Sequence, residues 1–278
     1  MYNVSRGIEL KNTIGCLILA TCHASKVRWV QKVEKSISEN DIFDEKVLAV
    51  DEFNNMFFPT RIKKYFEEKG WKVIIDNHKS RTKSMLNGLA ELSTDYVFYS
   101  EDDVLVDLPS KEFILDNLKH KIGDLECGML SLNLGGTTST ISNMGGSTSN
   151  TGSKNGDLDF AKDNILFQND ISFSFRRLEE KRNAWFYEFP GLFMPKELMA
   201  ETINKSKEKF KGMQIEMALT SAWFYFNFDK KYYKASVAKN NLLEILEKNP
   251  LLASDNCRHL TNLDKTQGAF VYGGNPSL

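Results

Sequence analysis

Four short apolar runs, each followed by polar sequence that carries an apolar stripe, constrain this chain more than any other feature. "IGCLILAT" (residues 14–21) is continuously apolar, as expected of a strand covered on both faces. After it, Val27, Val30, Val33 and Ile37 recur at helical spacing. "KVLAVD" (46–51) repeats the strand pattern, and Ile62, Tyr65 and Phe66 mark a short helix ended by Gly70. "WKVIID" (71–76) gives a third strand, Met85, Leu86, Leu89 and Leu92 a third helix, and "YVFYS" (96–100) a fourth strand. The alternation predicts an α/β fold, with a mostly parallel central sheet flanked by helices on both faces.

The second half is less regular. A helix is expected over 111–119 and a strand at "GMLSLNL" (128–134). Residues 135–156 are then almost all Gly, Ser, Thr and Asn, a composition that packs no core. The segment is either a linker or a flexible loop over a site, and the second reading is favoured because long loops inside compact domains often act as lids. Beyond it, "AWFYEFPGLFMPKELM" (184–199) reads as a strand turning into a helix. "KGMQIEMALTSAWFYF" (211–226) reads as an aromatic-rich helix and "NNLLEILEKN" (240–249) as an amphipathic one. The 278 residues are read as one domain: a regular half at 13–134, the loop at 135–157, and the half at 158–278.

A net charge of −1 gives no electrostatic case for nucleic acid, and the basic residues form no single stripe. Cys16, Cys22, Cys127 and Cys257 have neither metal nor redox spacing and read as small apolar residues in a reducing compartment. The run 15–20 is too short to span a bilayer and is read as a buried strand. A cytoplasmic protein is expected. A peripheral membrane contact has no support in the sequence.

The fourth strand runs straight into Glu101, Asp102 and Asp103. In open parallel sheets, ligands bind beyond the carboxyl ends of the strands, so these acids are expected at the rim of a cleft. Extended geometry would point Glu101 and Asp103 one way and Asp102 the other. Adjacent carboxylates near low dielectric raise one another's pKa unless a cation compensates. Mg²⁺ or Mn²⁺, held by one or two carboxylates and phosphate oxygens, would do so.

The order of strands, the helix carrying Arg81 and Asn87, the stretch "STDYVFYSEDDVLV" and a later apolar helix bearing Glu216 resemble the nucleotide-sugar-dependent glycosyltransferases of the glycosyltransferase-A fold. Their DxD signature sits at a strand end, in some members as Glu-Asp-Asp. The resemblance covers most of residues 13–134 and, loosely, 184–262. It implies a Rossmann-like nucleotide-diphospho-sugar transferase fold with a less regular C-terminal acceptor region. It also implies transfer of a sugar from a nucleoside-diphosphate sugar to a glycan or other hydroxyl acceptor, by inversion.

The site residues follow from this resemblance together with local chemistry. Asp103 is expected to ligate the metal, Glu101 to join directly or through water, and Asp102 to contact ribose or sugar hydroxyls. Asp51 would hold base or ribose, and Thr21 and His23 would line the nucleotide cleft. Arg81 and Lys83, at the start of a helix, would hold the diphosphate. Glu216, an acid in an apolar helix, is the candidate base, with Glu188 as the fallback. His259 would complete the metal shell, and Trp223 would stack on a sugar.

Two alternatives stand beside this reading. A sugar nucleotidyltransferase would carry a glycine-rich, basic signature after its first strand, which "ATCHASKVRWV" lacks. A non-catalytic nucleotide- or carbohydrate-binding protein of the same fold would not turn its donor over.

Overall fold

The computed structural model describes residues 11–21, 24–52, 57–76, 80–106, 108–132, 165–168, 171–176, 191–211, 215–238 and 257–259. Strand β1 (Ile14–Thr21) pairs in parallel with β2 (Glu45–Asp51) on one side and β4 (Tyr96–Glu101) on the other, and β3 (Lys72–Asp76) lies parallel outside β2. The order β3-β2-β1-β4 reverses direction at β1. In Rossmann-like sheets the ligand crevice opens at that reversal, beyond the carboxyl ends of the strands.

Helices α1 (Ala24–Ser38), α2 (Thr60–Glu68) and α3 (Arg81–Ala90) connect these strands as the apolar stripes predict. Successive residues of β1 face opposite sides, which explains its unbroken apolar run. Ile14, Cys16, Ile18 and Ala20 pack in one core with Val30, Val33 and Ile37 of α1 and Ile62 and Phe66 of α2. Leu17 and Leu19 pack in the other with Met85 and Leu89 of α3. Close contact of α3 with β1 depends on Gly88, where an added Cβ would stand 2.4 Å from Cδ1 of Leu17.

Past β4 the sheet becomes mixed. β5 (Val104–Val106) leaves the main sheet, and α4 (Lys111–Lys119) follows, capped by Ser110. β6 (Lys121–Ile122) and β7 (Leu125–Ser131) form a hairpin around Gly123, at φ 59°. The strand expected from residue 128 therefore starts at Leu125. Beyond the Gly/Ser/Thr segment come the paired strands β8 (Ile165–Gln168) and β9 (Ile171–Arg176) at the far edge.

β10 (Leu192–Pro195) inserts antiparallel between β4 and β7 and runs directly into α5 (Lys196–Lys209), matching the strand-to-helix reading. The aromatic-rich helix α6 (Ile215–Tyr225) leads through a short 3₁₀ turn into β11 (Tyr232–Ala238), parallel to β7 and antiparallel to β9. Last, β12 (Cys257–His259) pairs with β5 in a separate two-stranded sheet. Strands from both sides of the 135–157 segment thus share one ten-stranded sheet.

That segment itself and the helix expected at 240–249 lie outside the described residues. Among the described residues no helix is long and apolar enough to cross a membrane.

Candidate active site

Parallel register aligns the strand ends in one row. Thr21 is level with Asp51, and Asp51 with Asp76. On the other side of β1, Leu19 is level with Glu101. At about 4.8 Å per strand, the row from β3 to β4 spans roughly 14 Å.

The three acids are not a solvated turn. Glu101, Asp102 and Asp103 are 9%, 1% and 3% exposed. Only Glu101 belongs to β4, and Asp102 and Asp103 form a turn before β5. The alternating orientation expected of an extended run therefore does not hold past Glu101, because the chain bends there.

Each of the first two acids meets a different element. The Asp102 backbone N–H donates to the Leu19 carbonyl at 3.2 Å, while its Oδ2 accepts the Thr21 backbone N–H at 2.8 Å. The carboxylate thus replaces a backbone carbonyl and extends the β1–β4 ladder by one step. Glu101 Oε1 forms an ion pair with Arg81 Nη2. Acid and guanidinium, expected to serve a cation and a diphosphate respectively, meet each other. Arg81 is the first residue of α3, where Ser80 is the N-cap and its Oγ accepts the Lys83 backbone N–H at 3.4 Å. The Lys83 side chain is exposed.

Asp51 ends β2 and is 8% exposed. Its neighbour Asp76, equally buried, receives Nδ2 of Asn87 at 3.1 and 3.0 Å on its two oxygens. The sequence reading passed over this pair. An acid ending a strand as Asp51 does, with an amide two turns into the next helix, was the available signal.

His259 lies in β12 opposite Val104, one residue past Asp103. The backbone thus returns the late histidine to the acidic turn. Glu216 is the second residue of α6, a helix whose Ala218, Leu219, Ala222 and Trp223 are buried. His23 and Glu188 lie outside the described residues. Trp223 corrects an expectation: it is fully buried against Phe228 and Tyr232, with ring centroids at 5.4 and 6.1 Å, and is core rather than a sugar platform.

Among the described residues, no group of three or more His, Cys, Asp or Glu side chains is arranged to hold a metal ion. Glu101 is engaged by Arg81 and Asp102 by Thr21, so a hard cation at this turn would take few ligands from the protein and most from a diphosphate, as Mg²⁺ commonly does.

No protein-family model matches the chain, and no curated protein matches it. Among solved structures it is similar to S. aureus TarS, with 9% identity and a TM-score of 0.48, over 81% of this chain and 35% of that one. It is also similar to the mannosyltransferase PcManGT from Pyrobaculum calidifontis in complex with GDP-Man and Mn²⁺, with 10% identity and a TM-score of 0.40, over 68% and 46%. A third is 4-diphosphocytidyl-2C-methyl-D-erythritol synthase from Anaerococcus prevotii, with 12% identity and a TM-score of 0.44, over 88% and 96%.

Proposed function

We propose that this chain is a metal-dependent glycosyltransferase that moves a sugar from a nucleoside-diphosphate sugar to a hydroxyl acceptor by a single inverting displacement. One observation carries the reading: three successive carboxylates are buried at the carboxyl end of β4 beside β1, and a guanidinium from α3 meets the first of them there.

In this reading, Arg81 and Lys83 bind the diphosphate from the start of α3. Asp51 and Asp102 hold the base and ribose side of the donor, with Thr21 and His23 on the same rim. Asp103 is the anchoring ligand for Mn²⁺ or Mg²⁺, with His259 as a further candidate donor. When bound, the cation supplies positive charge against the diphosphate as it leaves the anomeric carbon. Glu216 takes the proton from the acceptor hydroxyl as general base. The 158–278 half would supply the acceptor site.

A panel of nucleotide sugars, screened for release of the nucleoside diphosphate with and without Mn²⁺, tests this reading. Release that requires the metal, and is lost in Asp103→Ala with an unchanged melting temperature, is expected. Donor binding without release would identify a binding protein. Pyrophosphate formed from a nucleoside triphosphate and a sugar phosphate would identify a nucleotidyltransferase instead.

A further inference from the structure

We infer that Glu101 is a positioning residue for Arg81 and not a ligand of the cation: the ion pair sets where the guanidinium meets the donor's diphosphate. The inference rests on the nucleotide-sugar reading above.

Both ends of the pair are mounted on fixed elements. Glu101 is the last residue of β4, its backbone in register with Leu19 of the central strand, and it is 9% exposed. Arg81 opens α3, which Ser84, Met85, Gly88 and Leu89 bury. Gly88 brings this helix so close to β1 that even a methyl group would overlap Leu17. The meeting of the two side chains is therefore set by the strand and the helix, not by a chance arrangement of surface chains.

Charge and hydrogen-bond capacity point the same way. An arginine side chain has many rotamers, and a carboxylate clamp removes much of that freedom before the ligand arrives. Guanidinium has five N–H donors, more than one carboxylate accepts, so it can hold Glu101 and phosphate oxygens together. A divalent cation on the same carboxylate would instead repel the guanidinium. Two of the acids thus have partners in the fold, Glu101 on α3 and Asp102 on β1, while Asp103 keeps the anchoring role proposed above.

The test is calorimetric titration of UDP, GDP, CDP and ADP, in EDTA and in Mn²⁺, alongside Mn²⁺ binding followed by electron paramagnetic resonance. Glu101→Gln should weaken nucleoside diphosphate binding about tenfold in both buffers and leave Mn²⁺ affinity unchanged. Arg81→Ala should weaken it at least as much, and the double variant no further, since the second change removes an interaction already lost. Glu101→Asp, which keeps the charge one methylene shorter, should fall between the natural chain and Glu101→Gln. Melting temperatures control for a purely structural effect.

The inference is overturned if Glu101→Gln loses Mn²⁺ binding while keeping its affinity in EDTA, if the two single effects add, or if Glu101→Gln binds as the natural chain does. A folded natural chain that binds none of the four nucleotides would overturn the nucleotide-sugar reading itself, and the inference with it.

Discussion

Asp102 accepts the backbone N–H of Thr21 across the end of the β1–β4 ladder, so a side chain does the work of a missing carbonyl where β4 turns away. The two residues are 81 positions apart in sequence, and their contact fixes the acidic turn against the central strand. Asp102→Ala would leave a Thr21 N–H without its acceptor and should cost about 1–3 kcal/mol, read by urea unfolding. Asp102→Asn keeps an oxygen acceptor and should recover much of that loss. Equal destabilisation by both variants would show that the negative charge, rather than the acceptor geometry, holds the turn.

Glu216 gives a prediction on the chemical step. It stands in the first turn of α6, ahead of a series of buried apolar residues. Glu216→Gln should bind donor as the natural chain does and lower transfer by about two orders of magnitude or more. Binding by calorimetry and transfer by product analysis separate the two effects. Undiminished transfer would remove Glu216 from the mechanism and leave the argument on Asp103 intact.

Gly88 ties the fold to the site. A methyl group there would lie 2.4 Å from Leu17 Cδ1 and 3.3 Å from Ala49 Cβ, so α3 must lift away from β1 and β2 or the leucine must shift. Overpacking of this kind costs about 1–3 kcal/mol. Because Arg81 heads the same helix, Gly88→Ala should also weaken nucleoside diphosphate binding, whereas a leucine that simply changes rotamer would leave binding unaltered. Thermal unfolding and nucleotide titration on the one variant decide between these responses.

Much of the parallel half was legible because a strand buried on both faces announces itself as an unbroken apolar run. β1 and α4 fall on the residues expected, and β2 and β3 within one residue. The row of polar strand ends was legible for the same reason: each apolar run stops at its own acid or threonine. What these residues touch was not. The approach of Arg81 to Glu101 depends on how tightly α3 packs, and the pairing of β5 with β12 joins segments about 150 residues apart. Trp223 was misjudged because an aromatic residue in an apolar helix reads alike whether it faces a cleft or the core.

Among the described acids outside the site, Glu34 is the most deeply buried, and it ties stability to pH. Glu34 of α1 is fully buried and accepts hydrogen bonds from Ser38 Oγ at 2.6 Å, Tyr65 Oη at 2.8 Å and Trp71 Nε1 at 3.3 Å, joining α1 to α2 and the start of β3. Burial alone pushes its pKa up, but the three hydrogen bonds and the nearby Lys69 charge together hold it below the ordinary value. The Tyr65 phenol is pushed up to about 12, by burial first and then by the hydrogen bond to Glu34 and its charge. The two shifts act on opposite limbs of the stability profile. A carboxylate with a lowered folded-state pKa adds stability above its unfolded pKa, and that stability is lost as pH falls through the folded value. A phenol with a raised folded-state pKa adds stability below its unfolded pKa, lost as pH rises from the ordinary value of 10 toward 12. Glu34→Gln should therefore cost about 1–3 kcal/mol near neutral pH and flatten the acid limb, since the amide does not titrate. Tyr65→Phe should flatten the alkaline limb. Urea unfolding from about pH 3 to about pH 11 reads both limbs. An acid limb of unchanged slope in Glu34→Gln would assign the acid sensitivity to other carboxylates.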